Sequence, residues 1–98
     1  MDEFEWVFLF VSDHNGVAKP ERIGRKCARP YVLPKWYVCA PYSSEKIFKS
    51  SPVLKSLEED DFCLYYTLNS IYLFAKNDLT CERLQAIYDA FERFKKGL

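Results

Sequence analysis

The 98-residue sequence predicts an α+β domain: an antiparallel sheet of about four strands, a C-terminal amphipathic helix packed on one face, and short helices in the middle. Three observations carry that prediction. Residues 4–12, FEWVFLFVS, are dominated by aromatic and β-branched residues, the side chains that fit a pleated surface. Residues 62–76, FCLYYTLNSIYLFAK, hold two such runs around a short polar break. Residues 81–96 repeat apolar side chains at helical spacing. A chain of this length has room for one domain, residues 1–98.

The first strand shows apolar residues on both faces. Strict alternation puts Phe4, Trp6, Phe8 and Phe10 on one side and Val7, Leu9 and Val11 on the other, which predicts a central strand covered twice. The strand stops at DHNG, where Asn15-Gly16 signals a two-residue hairpin turn. A short return at 17–19 would end at Pro20.

Pro20 also suits the first position of a short helix over 20–28 that turns Ile23 and Cys27 inward, although Gly24 weakens it and Pro30 closes it. KWYVCA, 35–40, reads as a strand between prolines. Ser43 or Ser44 suits the cap of a short helix over 45–49. Ser51-Pro52 resembles a helix start, with Val53, Leu54 and Leu57 on one face until the acids 58–61 oppose the helix dipole.

The 62–76 hairpin is expected to turn on Asn69-Ser70. That register pairs Leu68 with Ile71, Tyr66 with Leu73 and Leu64 with Ala75 on one face, and Thr67 with Tyr72 and Tyr65 with Phe74 on the other. In the final helix Thr80 is the expected cap and Gly97 the stop, and Leu84, Ile87, Tyr88, Phe91 and Phe94 form the apolar stripe.

Composition narrows the function classes. Apolar residues make up 49% of the chain and the net charge is zero, which argues for a packed core rather than disorder. The apolar run Trp6–Val11 is far too short to span a bilayer, and the acidic start Asp2, Glu3, Glu5 is unlike a secretory leader, so a cytoplasmic protein without a membrane partner is expected. Cys27, Cys39, Cys63 and Cys81 lack the close pairing of zinc or redox motifs and read as free thiols. No metal or cofactor is implied. The single histidine, His14, sits at a turn, and no nucleotide-binding or hydrolase motif is present, so no catalytic residue is assigned.

Charge is unevenly placed along the chain. Residues 19–49 hold eight bases and two acids, a net of +6, whereas residues 50–61 hold one lysine and four acids, a net of −3. The basic stretch interleaves Arg22, Arg25, Lys26 and Arg29 with Tyr31, Trp36 and Tyr37. Arginine among aromatic rings is the composition of protein–protein hot spots and also of single-strand nucleic-acid grooves. The neutral total disfavours a dedicated nucleic-acid binder, which remains the alternative through residues 19–37. The sheet offers more apolar area than its helices cover, so Tyr65, Tyr72 and Phe74 are expected in an exposed aromatic patch. The acidic run Glu58, Glu59, Asp60, Asp61 adds a docking patch for a basic partner. The expectation is a small non-catalytic protein that inhibits or regulates a protein partner such as a toxin or enzyme, of the immunity-protein, antitoxin or phage-inhibitor type. A homodimer on the open sheet face is a further possibility.

Overall fold

A computed structural model describes residues 4–33 and 37–98. Its elements are β1 (Trp6–Ser12), β2 (Lys26–Cys27), β3 (Tyr31–Val32), β4 (Tyr37–Pro41), β5 (Ile47–Glu58), β6 (Phe62–Thr67), β7 (Ile71–Lys76) and α1 (Cys81–Lys96). The strands form one antiparallel sheet in the order β2-β1-β7-β6-β5-β4-β3. This corrects the expected sheet of about four strands with short middle helices: the described residues hold seven strands and one helix, and the middle of the chain is sheet.

The sheet curls strongly. Its edge strands β2 and β3 belong to one short segment, residues 26–32. The start of that segment pairs with β1 and its end with β4, and the Ala28 N–H donates to the Pro41 carbonyl at 2.8 Å between them. The concave side thereby becomes an interior, filled by Trp6, Phe8, Val11, Val38, Phe48, Tyr65, Tyr72 and Phe74. Rings meet edge-on or tilted, as with Phe8 and Phe48 at 5.2 Å. The radius of gyration, 12.6 Å, is that of a compact domain of about a hundred residues. No helix among the described residues is long and apolar enough to cross a membrane.

Each departure from the sequence reading has a local cause. Gly24 takes φ +88°, a left-handed conformation that no helix interior accepts. Its N–H donates to the Phe8 carbonyl, so 20–25 is a run of turns hung on β1 rather than a helix. Pro52 lies inside β5, opposite Tyr37, where the strand changes neighbour from β4 to β6 and its register shifts. A proline is tolerated there because the ladder is already broken. The Val38 N–H is met by the Ser50 hydroxyl at 2.9 Å, and the Leu68 N–H by the Pro52 carbonyl at 3.1 Å.

In β1 a bulge between Phe8 and Phe10 breaks the alternation. Phe10 therefore leaves the side of Trp6 and Phe8 and packs on the helix, 6.0 Å from the Phe91 ring, while Val11 enters the interior. The first turn is a three-residue loop: Asp13 N–H donates to the Val17 carbonyl, and Gly16 N–H to the Asp13 carbonyl. Gly16 supplies the left-handed residue at φ +84°.

The β6–β7 hairpin is set two residues from the expected register. Tyr66 pairs with Ile71, Tyr65 with Tyr72 and Leu64 with Leu73, and the loop is the four residues 67–70. A shift of two preserves the faces. Leu64, Ile71, Leu73 and Ala75 point to α1, against Ile87, Phe91 and Phe94. The helix itself has the expected bounds, with the Thr80 hydroxyl accepting from the Arg83 N–H at 3.1 Å. Leu84 is half-buried and Tyr88 exposed, so the stripe is narrower than expected.

Candidate functional site: the bare wing of the sheet

Alternation along the strands sorts the basic-aromatic region into two sides. Val32, Val38, Ala40 and Phe48 point into the interior. Their neighbours Tyr31, Cys39, Lys49 and Ile47 then point outward, and register places Tyr31 beside Cys39, Cys39 beside Lys49, and Ile47 beside Pro41. Tyr37 joins this outer face, with the Lys49 ammonium 6.0 Å from its ring centroid. The outer wall of β1, β7 and β6 lies under α1. No described element covers the outer wall of β3, β4 and the first half of β5. Tyr31 is 43% exposed and Ile47 49%, while Cys39, paired between Tyr31 and Lys49, is 1% exposed.

The residues expected to bind a partner fall into three groups. The first has become structure. Tyr65 (0% exposed) and Tyr72 (5%) lie inside with Phe74, which overturns the expected exposed aromatic patch. The curl, not a helix, hides them. Burial pushes the Tyr65 phenol far above its usual range, and its hydroxyl has no hydrogen-bond partner among the described residues.

The arginines are largely engaged within the fold. The Arg29 guanidinium lies 4.7 Å from the Trp6 ring and donates to the carbonyls of Asp60 and Glu59, both at 2.8 Å. It thus fastens the end of β2 to the β5–β6 turn. Arg22 stacks on Phe48 at 4.4 Å, near Tyr72. Arg25 is exposed, with Nε donating to the Glu21 carbonyl at 3.0 Å and the guanidinium 6.0 Å from the Tyr42 ring. Asp61 is engaged as well: Arg83 donates to both carboxylate oxygens, at 2.5 and 2.8 Å. That bidentate pair is the main reason its carboxyl stays below the ordinary aspartate range.

The second group stays on the surface. Lys26, Tyr31, Glu58, Glu59 and Asp60 are exposed and Tyr37 is half-buried. Trp36 forms the third group, outside the described residues. The structure thus brings Tyr31 and Tyr37 together, and separates them from the hairpin tyrosines. Sequence reasoning missed Ile47 and Lys49. The signal was present in IFK, where an inward Phe48 separates two outward residues, but a helical reading of 45–49 concealed it.

His14 has its own surroundings. Its Nε2 lies 2.7 Å from the Thr67 carbonyl, and its ring packs on Tyr66 at 4.7 Å. With Asn15, Lys95 and Leu98 it lines an open crevice of about 480 Å³ that contains no cysteine. Cys27, Cys39 and Cys63 are buried and Cys81 is exposed, all as free thiols. Burial alone pushes the Cys27 thiol up to about 12. Cys81 opens α1 whereas the crevice adjoins its other end, some 20 Å away at ~1.5 Å per residue. No three His, Cys, Asp or Glu residues among those described are grouped to hold a metal. Compared with protein-family models, with curated proteins and with solved structures, the chain matches none.

Proposed function

We propose that this chain is a non-catalytic binding protein that docks on an acidic protein surface through the bare wing of its sheet, and regulates or inhibits that protein. One observation carries the reading: Tyr31 and Ile47 stand exposed on a sheet face that no described element covers, beside Lys49. Aromatic and aliphatic anchors within a polar surround are the usual energetic centre of a protein interface. Lys49 on that face, within a segment 19–49 of net charge +6, favours an anionic partner and speeds its approach.

The test begins with affinity capture and continues on the purified partner. Tyr31→Ala is expected to weaken binding by about tenfold or more with the thermal transition unchanged, and Lys49→Ala to slow association with a milder salt dependence. Undiminished binding by Tyr31→Ala together with Ile47→Ala overturns the reading. So does capture of nucleic acid with a steep fall of affinity in salt.

A further inference from the structure

The twelve residues of β5 serve two neighbours in turn: its first half pairs with β4 as far as Pro52, and its second half, from Val53, pairs with β6. Among the described residues nothing pairs with the other side of residues 54–58, all of which are exposed. An open strand edge of this kind is a template for another strand. Its hydrogen-bonding phase follows from one contact. The Glu59 N–H donates to the Phe62 carbonyl at 2.9 Å, so Glu59 turns its N–H, and Leu57 and Lys55 turn their backbone groups, toward β6. Ser56 and Glu58 turn theirs outward, and the register shift between Val53 and Lys55 ends this alternation at Leu54.

We infer that this edge pairs antiparallel with the same edge of a second copy of the chain, about a two-fold axis at Leu57. In that register Ser56 of each copy exchanges its N–H and C=O with Glu58 of the other. Leu57, 37% exposed in the single chain, meets its own counterpart on the α1 side of the sheet. Lys55 and Glu59, which share that side by alternation, fall opposite each other twice, as complementary charges. The symmetric alternative, centred on Ser56, sets Lys55 against Leu57 and matches neither charge nor apolar area. Arg29 already holds the Glu59 and Asp60 carbonyls, which closes the edge beyond Glu58. Lys55 reaches the Gly97 carbonyl at 3.3 Å in the single chain, a long contact that an ammonium with three donors keeps while gaining another. The occupant is a second copy because self-pairing about this axis matches the leucine and both charges at once.

Sedimentation equilibrium of the full chain, in a Cys81→Ser background, tests the inference. The chain is expected to associate reversibly to a dimer. Lys55→Glu and Glu59→Lys are each expected to weaken association by roughly three- to tenfold, and the two combined to restore it. Ser56→Pro removes an outward N–H and is expected to give monomers with an unchanged circular dichroism spectrum. Oxidised Leu57→Cys is expected to form the symmetric 57–57 disulfide. A wild-type chain that stays monomeric at millimolar concentration overturns the inference. A dimer indifferent to Ser56→Pro and to the charge exchange does so equally. Tyr31→Ala leaves this association unchanged, so its outcome is separate from that of the wing.

Discussion

Outside the β1 bulge, the two halves of the sheet's outer wall obey the same alternation and meet different fates. Behind β1, β7 and β6 the outward side chains are Leu9, Phe10, Leu64, Ile71, Leu73 and Ala75, sealed by Ile87, Phe91 and Phe94 of α1. On β3, β4 and the first half of β5 they are Tyr31, Tyr37, Lys49 and Ile47 around a buried Cys39, and no described element lies over them. The difference is one of supply. A helix about 10 Å across covers roughly two to three strands set ~4.8 Å apart, and the described chain has one helix for a seven-stranded sheet. Composition follows coverage: the sealed half is aliphatic and aromatic throughout, and the bare half mixes tyrosine, isoleucine and lysine, residues that tolerate water and also bind well.

Four tests break or sharpen that contrast. The largest effect is expected across the two halves. Phe91→Ala, at a site 2% exposed, loses about 3–5 kcal/mol in urea unfolding, enough to unfold much of the population. Ile47→Ala on the bare half changes stability by about 0.5 kcal/mol or less. Equal losses at both positions would show that something covers the wing.

Next comes the join between the sheet's ends. Arg29→Ala gives up two hydrogen bonds and a stack on Trp6, an expected cost of about 1–2 kcal/mol. Arg25→Ala, at an exposed site with one backbone contact, serves as the control at about 0.5 kcal/mol or less.

The third is a pH dependence confined to the covered half, where Arg83 of α1 holds Asp61 before β6. The Asp61 carboxyl is depressed in the folded state. Its contribution is therefore present at neutral pH and is lost as the pH falls through the ordinary carboxylate value, near ~4, and below. The Tm difference between wild type and Arg83→Met is expected to shrink over that acid range. A difference that persists at the lowest pH would assign Arg83's role to its packing on Phe62.

The smallest effect is inside. Tyr65→Phe removes a buried hydroxyl without a hydrogen-bond partner among the described residues, and is expected to be neutral or to raise stability by about 1 kcal/mol. A clear loss would mean that the hydroxyl is satisfied in solution, with the Cys63 thiol and the Glu58 carboxylate as its nearest candidates.

Legibility was uneven for reasons visible in single residues. Alternation and periodicity are local, so α1, its Thr80 cap, and the faces of β6 and β7 could be read directly. Ser51-Pro52 misled because the same dipeptide that starts a helix also fits a strand where its ladder breaks. Phe10 misled because a bulge costs one residue and leaves no mark in composition. Of the candidate surface, Tyr31 and Tyr37 were legible as a pair of rings among bases, whereas Ile47 and Lys49 needed the strand register.

The order of apolar and polar residues along the chain was enough to dictate the strand character of β1, β6 and β7 and the terminal amphipathic helix, since each depends on neighbours a few positions apart. Which tyrosines face water was settled by the curl. Closing the sheet through residues 26–32 gave Tyr65 and Tyr72 an inside, and no local pattern encodes that closure, because it joins segments far apart in sequence. The same closure left α1 one side to cover and the wing none, which is why surplus apolar surface appears on Tyr31 and Ile47 rather than on the hairpin.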